Sequence, residues 1–105
     1  MQRMAVIAKL KPGSEARAEK LIEQGPPFSP RDAGFERHSV YLTGDHVVFV
    51  FEGGSLNELL GKVIKNPSSA GAFGNWERII EGMPRVAREV YSWQKGEDWP
   101  ETWGE

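Results

Sequence analysis

Residues 35–52 read FERHSVYLTGDHVVFVFE, two runs of β-branched and aromatic side chains on either side of Gly44-Asp45. With Gly44 and Asp45 as a two-residue hairpin loop, Thr43 faces His46, Leu42 faces Val47, Val40 faces Phe49, His38 faces Phe51 and Arg37 faces Glu52. The last pair is of opposite charge, which supports the register. One face of the hairpin then carries His38, Val40, Leu42, Val47, Phe49 and Phe51, and the other carries Arg37, Ser39, Tyr41, His46, Val48, Val50 and Glu52. A sheet with one face in water alternates apolar and polar residues cleanly. Here both faces hold large apolar groups, so each needs a cover. Helices of the same chain suffice for one face, and the second points to another subunit.

Upstream, Met4 to Leu10 (MAVIAKL) is an apolar run of strand length closed by Pro12-Gly13. Ser14 sits at a helix N-cap, and the spacing of Ala18, Leu21 and Ile22 predicts a helix over about residues 14–24 that ends at Gly25. The three prolines within residues 25–30 predict a stiff loop, with Phe28 as its one large apolar side chain, either plugging a core gap or covering a pocket. Downstream, Ser55 and Glu58 fit a capping box for a helix over about 55–65 that stops before Pro67. Phe73, Trp76, Ile79, Ile80 and Met83 have helical spacing and predict a third helical segment ending near Gly82, followed by a strand over 84–93. The order strand, helix, strand, strand, helix pair, strand is the α+β ferredoxin-like arrangement βαββαβ, with helices on one face of the sheet.

The chain has 105 residues, of which 39% are hydrophobic, the size of one domain. That domain is placed at residues 1–93. Residues 94–105 (QKGEDWPETWGE), with Trp99 and Trp103 among acidic and turn residues, read as a tail that either docks its indoles on a surface or stays disordered. Thirteen Lys and Arg against 15 Asp and Glu, with no block of like charge, lack the basic stripe of a polyanion binder, so no nucleic-acid partner is expected. No cysteine is present, which excludes thiolate chemistry and fits a reducing, cytoplasmic compartment. The first apolar stretch is too short for a signal core or a membrane span, so no membrane partner is expected.

The glycines match neither a phosphate-binding loop nor a dinucleotide fingerprint, and no cofactor is expected. His38 and His46 fall on opposite faces of the hairpin and cannot jointly hold a metal within one subunit. What remains is His38, among Val40, Phe49 and Phe51, where an imidazole is either a general acid or base or a structural residue bonded to a backbone carbonyl. Arg37 and Tyr41 point the other way, toward packing on helices rather than a ligand, unless a bulge shifts the register. The candidate site is therefore His38 as catalytic residue, with Arg37, Val40, Phe49, Phe51, Trp76 and Phe28 as candidate ligand contacts. Trp76 also fits the core.

Several short motifs carry a family likeness. The VIAKLKPG strand and turn (6–13), Gly34-x-x-Arg37-His38 opening the second strand, the Gly44-Asp45 turn before an aromatic strand ending in Glu52, Asn66-Pro67 followed by Phe73, and the closing REVYSW (88–93) together resemble the dimeric α+β barrel proteins. Among these the chain looks most like small aromatic polyketide cyclases of the tetracenomycin and spore-pigment type, over about residues 3–93. The resemblance implies a homodimer in which two four-stranded sheets face each other. It also implies a pocket between sheet and helices, and a hydrophobic polyphenolic or polyketide-like ligand. The family's pocket histidine on the third strand falls on Phe49, and its His-Asp pair near the end of the first helix falls around Gln24 and Gly25. Arg37 and His38 match in kind. Three readings are open: a cofactor-independent cyclase using His38 as base, a non-catalytic or stress-type ligand binder, and a cofactorless monooxygenase.

Overall fold

The computed structural model describes residues 2–26, 29–59 and 74–96. Its elements are β1 (Gln2–Leu10), α1 (Glu15–Glu23), α2 (Pro30–Ala33), β2 (Arg37–Leu42), β3 (His46–Gly53) and β4 (Ile80–Arg88), with further helical residues at 56–59 and 74–77. The strands form one antiparallel sheet in the order β2-β3-β1-β4, the ferredoxin-like order, with β2 and β4 at its edges.

The hairpin has the register read from its sequence. Arg37 pairs with Glu52, His38 with Phe51, Val40 with Phe49 and Leu42 with Val47, and the Thr43 N–H donates to the His46 carbonyl at 2.8 Å. The Thr43 hydroxyl accepts from the His46 N–H at 2.9 Å, fixing the Gly44-Asp45 turn without any left-handed residue there. Helix α1 begins after Ser14 and stops at a left-handed Gly25 (φ 86°), as expected, although the Ser14 side chain caps nothing.

Core packing lies on the face that carries His38. Ala8 and Leu10 of β1, Val47 of β3, Ala18 of α1, Trp76 and Ile79 form one buried cluster, with Leu21, Ile22, Val40, Leu42 and Phe49 packed against it. Phe35, Phe51 and Leu56 form a second, joined by Met4, Val6 and Leu59. Two glycines let Leu59 come close. A Cβ at Gly53 would sit 2.9 Å from Leu59 Cδ1, and one at Gly34 2.9 Å from Leu59 Cδ2.

Four expectations are corrected. Residues 25–30 are not all loop: Ser29 accepts from the Asp32 N–H, Pro30 takes the first helical position and Gly34 (φ 91°) closes a one-turn helix, α2. The helical segment at 74–77 stops well short of Gly82, and the last strand runs over 80–88 rather than 84–93. Ile79 and Ile80 satisfy helical and strand periods alike, and pairing of Ile80 with Leu10 decides for the strand. At 55–58 the N–H of Leu56 is held by the side-chain oxygen of Gln2 at 3.1 Å, in place of a Ser55–Glu58 box. Finally, Arg37 and Tyr41 do not pack on the described helices; both are exposed, on the face that those helices leave uncovered, because the described helical residues lie on the His38 side.

Candidate functional site

His38 is the second residue of β2, and its place opposite Phe51 puts the imidazole over that ring, with centroids 4.6 Å apart and planes 25° from parallel. Phe35 meets the same phenyl ring at 5.1 Å, so the three rings form a packed corner where α2 gives way to β2. His38 Nδ1 donates to the Val50 carbonyl at 3.1 Å. A carbonyl only accepts, so Nδ1 carries the proton and Nε2 is the basic nitrogen of the neutral ring. Burial holds the pKa of His38 below its ordinary value, with the Val50 hydrogen bond opposing that shift. The ring is thus neutral near pH 7, in the state a general base needs.

An open groove of about 640 Å³ runs along this edge, lined by Pro26, Pro30, Arg31, Glu36, Arg37 and His38 among others. Arg37 and His38 have opposite orientations on β2, yet both border the groove. Pro30, Gly34 and Phe35 contribute through α2 and its cap, a wall that only the folding of residues 29–34 creates.

Of the sequence candidates, His38 and Arg37 line this groove and Phe51 underlies His38. Val40, Phe49 and Trp76 pack into the core cluster, with Phe49 meeting Trp76 edge-on at 5.1 Å. Phe28 lies outside the described residues. Sequence reasoning did not find Arg31, Glu36 or Phe35 as groove residues. The signal for them was the Ser29-Pro30 start and Gly34 end of a short helix, which turns the residues after it toward the β2 edge.

On the uncovered face a row of alternating charge crosses the sheet. Arg3 Nε donates to Glu52 Oε1 at 2.6 Å, Arg37 Nε lies 3.8 Å from Glu52 Oε2, and Arg3 reaches Glu89 at 3.4 Å. Glu52 is only 7% exposed, a buried carboxylate made tolerable by two guanidiniums. Toward the other end Lys9 pairs across strands with His46 and lies 4.0 Å from Glu81. Between these rows run Tyr41, Val48, Ile7 and Arg85, then Ser39, Val50, Ala5 and Ala87, a largely apolar centre framed by charge, Arg85 closing it on the β4 edge. His46 is on this face, opposite to His38. Among the described residues no three His, Cys, Asp or Glu groups come together as a metal site, and no helix is long and apolar enough to cross a membrane.

No protein-family model and no curated protein matches this sequence. Solved structures do match it. An L-rhamnose mutarotase from Formosa agariphila superposes with a TM-score of 0.71 at 13% identity, over 90% of this chain and 100% of that one. Tetracenomycin F2 cyclase from Streptomyces glaucescens, a type-II polyketide cyclase, gives 0.69 at 13% identity, covering 90% and 98%. An antibiotic biosynthesis monooxygenase-like protein from Chloroflexus aurantiacus gives 0.57 at 16% identity, covering 90% and 99%. These are proteins of the dimeric α+β barrel superfamily, and the chain has their fold.

Proposed function

We propose that this chain, folded as the dimeric α+β barrel proteins are, is a cofactor-independent cyclase-like enzyme. In this reading it holds a hydrophobic aromatic or polyketide-like ligand in the groove at the β2 edge, with His38 as general base. The observation that carries this reading is the imidazole itself: half-buried, stacked on Phe51, fixed as the Nδ1–H tautomer by Val50 and held neutral by burial. Nε2 takes a proton from the carbon between two carbonyls of the ligand. The resulting enolate carbon attacks a second carbonyl carbon of the same molecule, and the alkoxide formed recovers the proton from the imidazolium. Bonds and electrons balance without oxidant or metal. Arg37 borders the same groove as the cation nearest His38 in sequence, suited to the oxygen that gains charge.

The acting unit in this proposal is a homodimer paired through the uncovered sheet face. Its apolar centre within a charged frame matches the core-and-rim composition of protein interfaces. The absence of cysteine supports a cytoplasmic site of action.

The test is deuterium uptake at the acidic carbon of a poly-β-ketone mimic. The chain is expected to accelerate exchange by about 100-fold or more, and His38→Gln to abolish the acceleration while the variant still binds the mimic. Unchanged exchange in His38→Gln removes the base from His38. Binding without exchange in the unaltered chain makes the protein a non-catalytic binder, the role for which a stacked, carbonyl-bonded histidine is equally fitted. Oxygen consumption with a quinol substrate would instead assign cofactorless monooxygenation.

A further inference from the structure

Two guanidiniums border the groove at the β2 edge, and they differ in what answers them. Arg37 lies 3.8 Å from Glu52, a carboxylate that Arg3 also holds. Arg31 has no carboxylate within salt-bridge distance among the described residues, Glu36 on the same groove included. Two stretches outside the described residues continue the chain from neighbours of α2: residues 27–28 precede Ser29, and residues 60–73 follow Leu59, which meets Gly34. Neither contains an Asp or a Glu.

The support that carries Arg31 is fixed at both ends. Ser29 accepts from the Asp32 N–H at 3.3 Å, and Pro30 holds the first helical position. The Gly34 N–H donates to the Arg31 carbonyl and the Phe35 N–H to the Pro30 carbonyl, each at 3.0 Å, so the turn closes on Arg31 itself. Phe35 is then buried against Phe51, with ring centroids 5.1 Å apart, and the same Phe51 ring carries His38 at 4.6 Å. One phenyl ring therefore sets the imidazole and the support of Arg31 in relation to each other, on a single groove.

We propose that Arg31 is a specificity-determining residue of this groove, binding a carboxylate of the ligand, so that the ligand is an aromatic or polyketide-like acid rather than its neutral counterpart. This rests on the reading of the groove as the ligand site, although recognition of the acid does not require the reaction. A guanidinium presents two parallel N–H donors that match the two carboxylate oxygens. Pro26, Pro30 and Phe35 line the same groove and give apolar surface to the rest of the molecule. Glu36 repels further negative charge there, which favours a singly charged carboxylate over a doubly charged phosphate ester.

The experiment is an NMR titration of the full chain, reading the Arg31 Nε–H signal and the His38 ring, with 2-naphthoate, its methyl ester and 2-naphthyl phosphate as probes. The acid should move the Arg31 signal and bind about 10-fold tighter than the ester. Arg31→Gln should remove that advantage while leaving the affinity for the ester unchanged, which also shows the groove intact. Arg31→Lys, which keeps the charge without the fork, should retain part of it. Equal binding of acid and ester by the unaltered chain, an Arg31 signal that the acid leaves in place, or equal weakening of both probes by Arg31→Gln overturns the proposal. Tighter binding of the phosphate than of the acid overturns the carboxylate assignment. Binding of the acid through Arg31 by a chain that exchanges no deuterium into the ketone mimic supports the proposal and removes only the catalytic reading of His38.

Discussion

The two faces of the sheet are made from the same four strands and much the same residue types, yet they behave as different materials. Val47 and Ala8 on the helix side are closed off from solvent, while Val48 and Ile7, one residue along each strand, remain partly open. Apolar content does not separate them. The ends of the strands do: the open face is bordered by Arg37, Glu52, Arg3 and Glu89 at one end and His46, Lys9 and Glu81 at the other. Charges at a rim set orientation and keep a face soluble when unpaired, whereas a core needs only volume and fit. One face is therefore a folding core and the other has the make-up of a surface for a separable partner.

The comparison breaks most visibly on the helix side. Leu10→Ala should lower unfolding free energy by about 3 kcal/mol, measured by denaturant titration; a loss below about 1 kcal/mol would mean the Leu10 cluster is not the main core. Gly53→Ala tests the approach of Leu59, and the 2.9 Å contact with a side-chain end predicts a cost of about 1–2 kcal/mol. On the other face Val48→Glu should change monomer stability by less, about 0.5 kcal/mol. Sedimentation velocity should nevertheless show any dimer dissociating.

The smallest effect is the pH slope from His38. Its folded pKa is lowered, mainly by burial, so the unfolded chain binds its proton first as pH falls. The contribution is fully present above the unfolded value near 6.5. It is lost progressively below that pH, until the folded ring is protonated as well. Melting temperatures from pH 7.5 to 5 should fall less steeply in His38→Gln than in the unaltered chain; equal slopes would show that His38 is not the group being titrated.

How far the sequence revealed this is uneven, and the unevenness has physical causes. The hairpin was legible to the residue because a period of two plus a two-residue loop allows one register, and the Arg37–Glu52 pairing agrees with it. From that register the stacking of His38 on Phe51 comes directly. Which face the helices take was not legible, since Val48 and Val50 mimic a buried face and the side chosen depends on where α1 and residues 56–59 dock. The start of β4 was hidden because Ile79 and Ile80 suit both periods. The Phe35 and Pro30 wall of the groove was hidden because a proline-rich stretch reads as loop even when Ser29, Pro30 and Gly34 spell a helical turn. Gln2 as the partner of the Leu56 N–H required knowing that two residues 54 apart meet, which no local pattern encodes.

The irregularity in β4 has a consequence for growth. Glu81 pairs with Lys9 and Arg85 with Ile7, so residues 82–84 swell out opposite Ala8, around a left-handed Gly82 and with Pro84, which has no N–H to offer. A sheet with two free edges can in principle add copies strand upon strand without limit, as fibres do. This strand presents no even ladder at Gly82–Pro84, an interruption of the kind that blunts edge-to-edge pairing along β4.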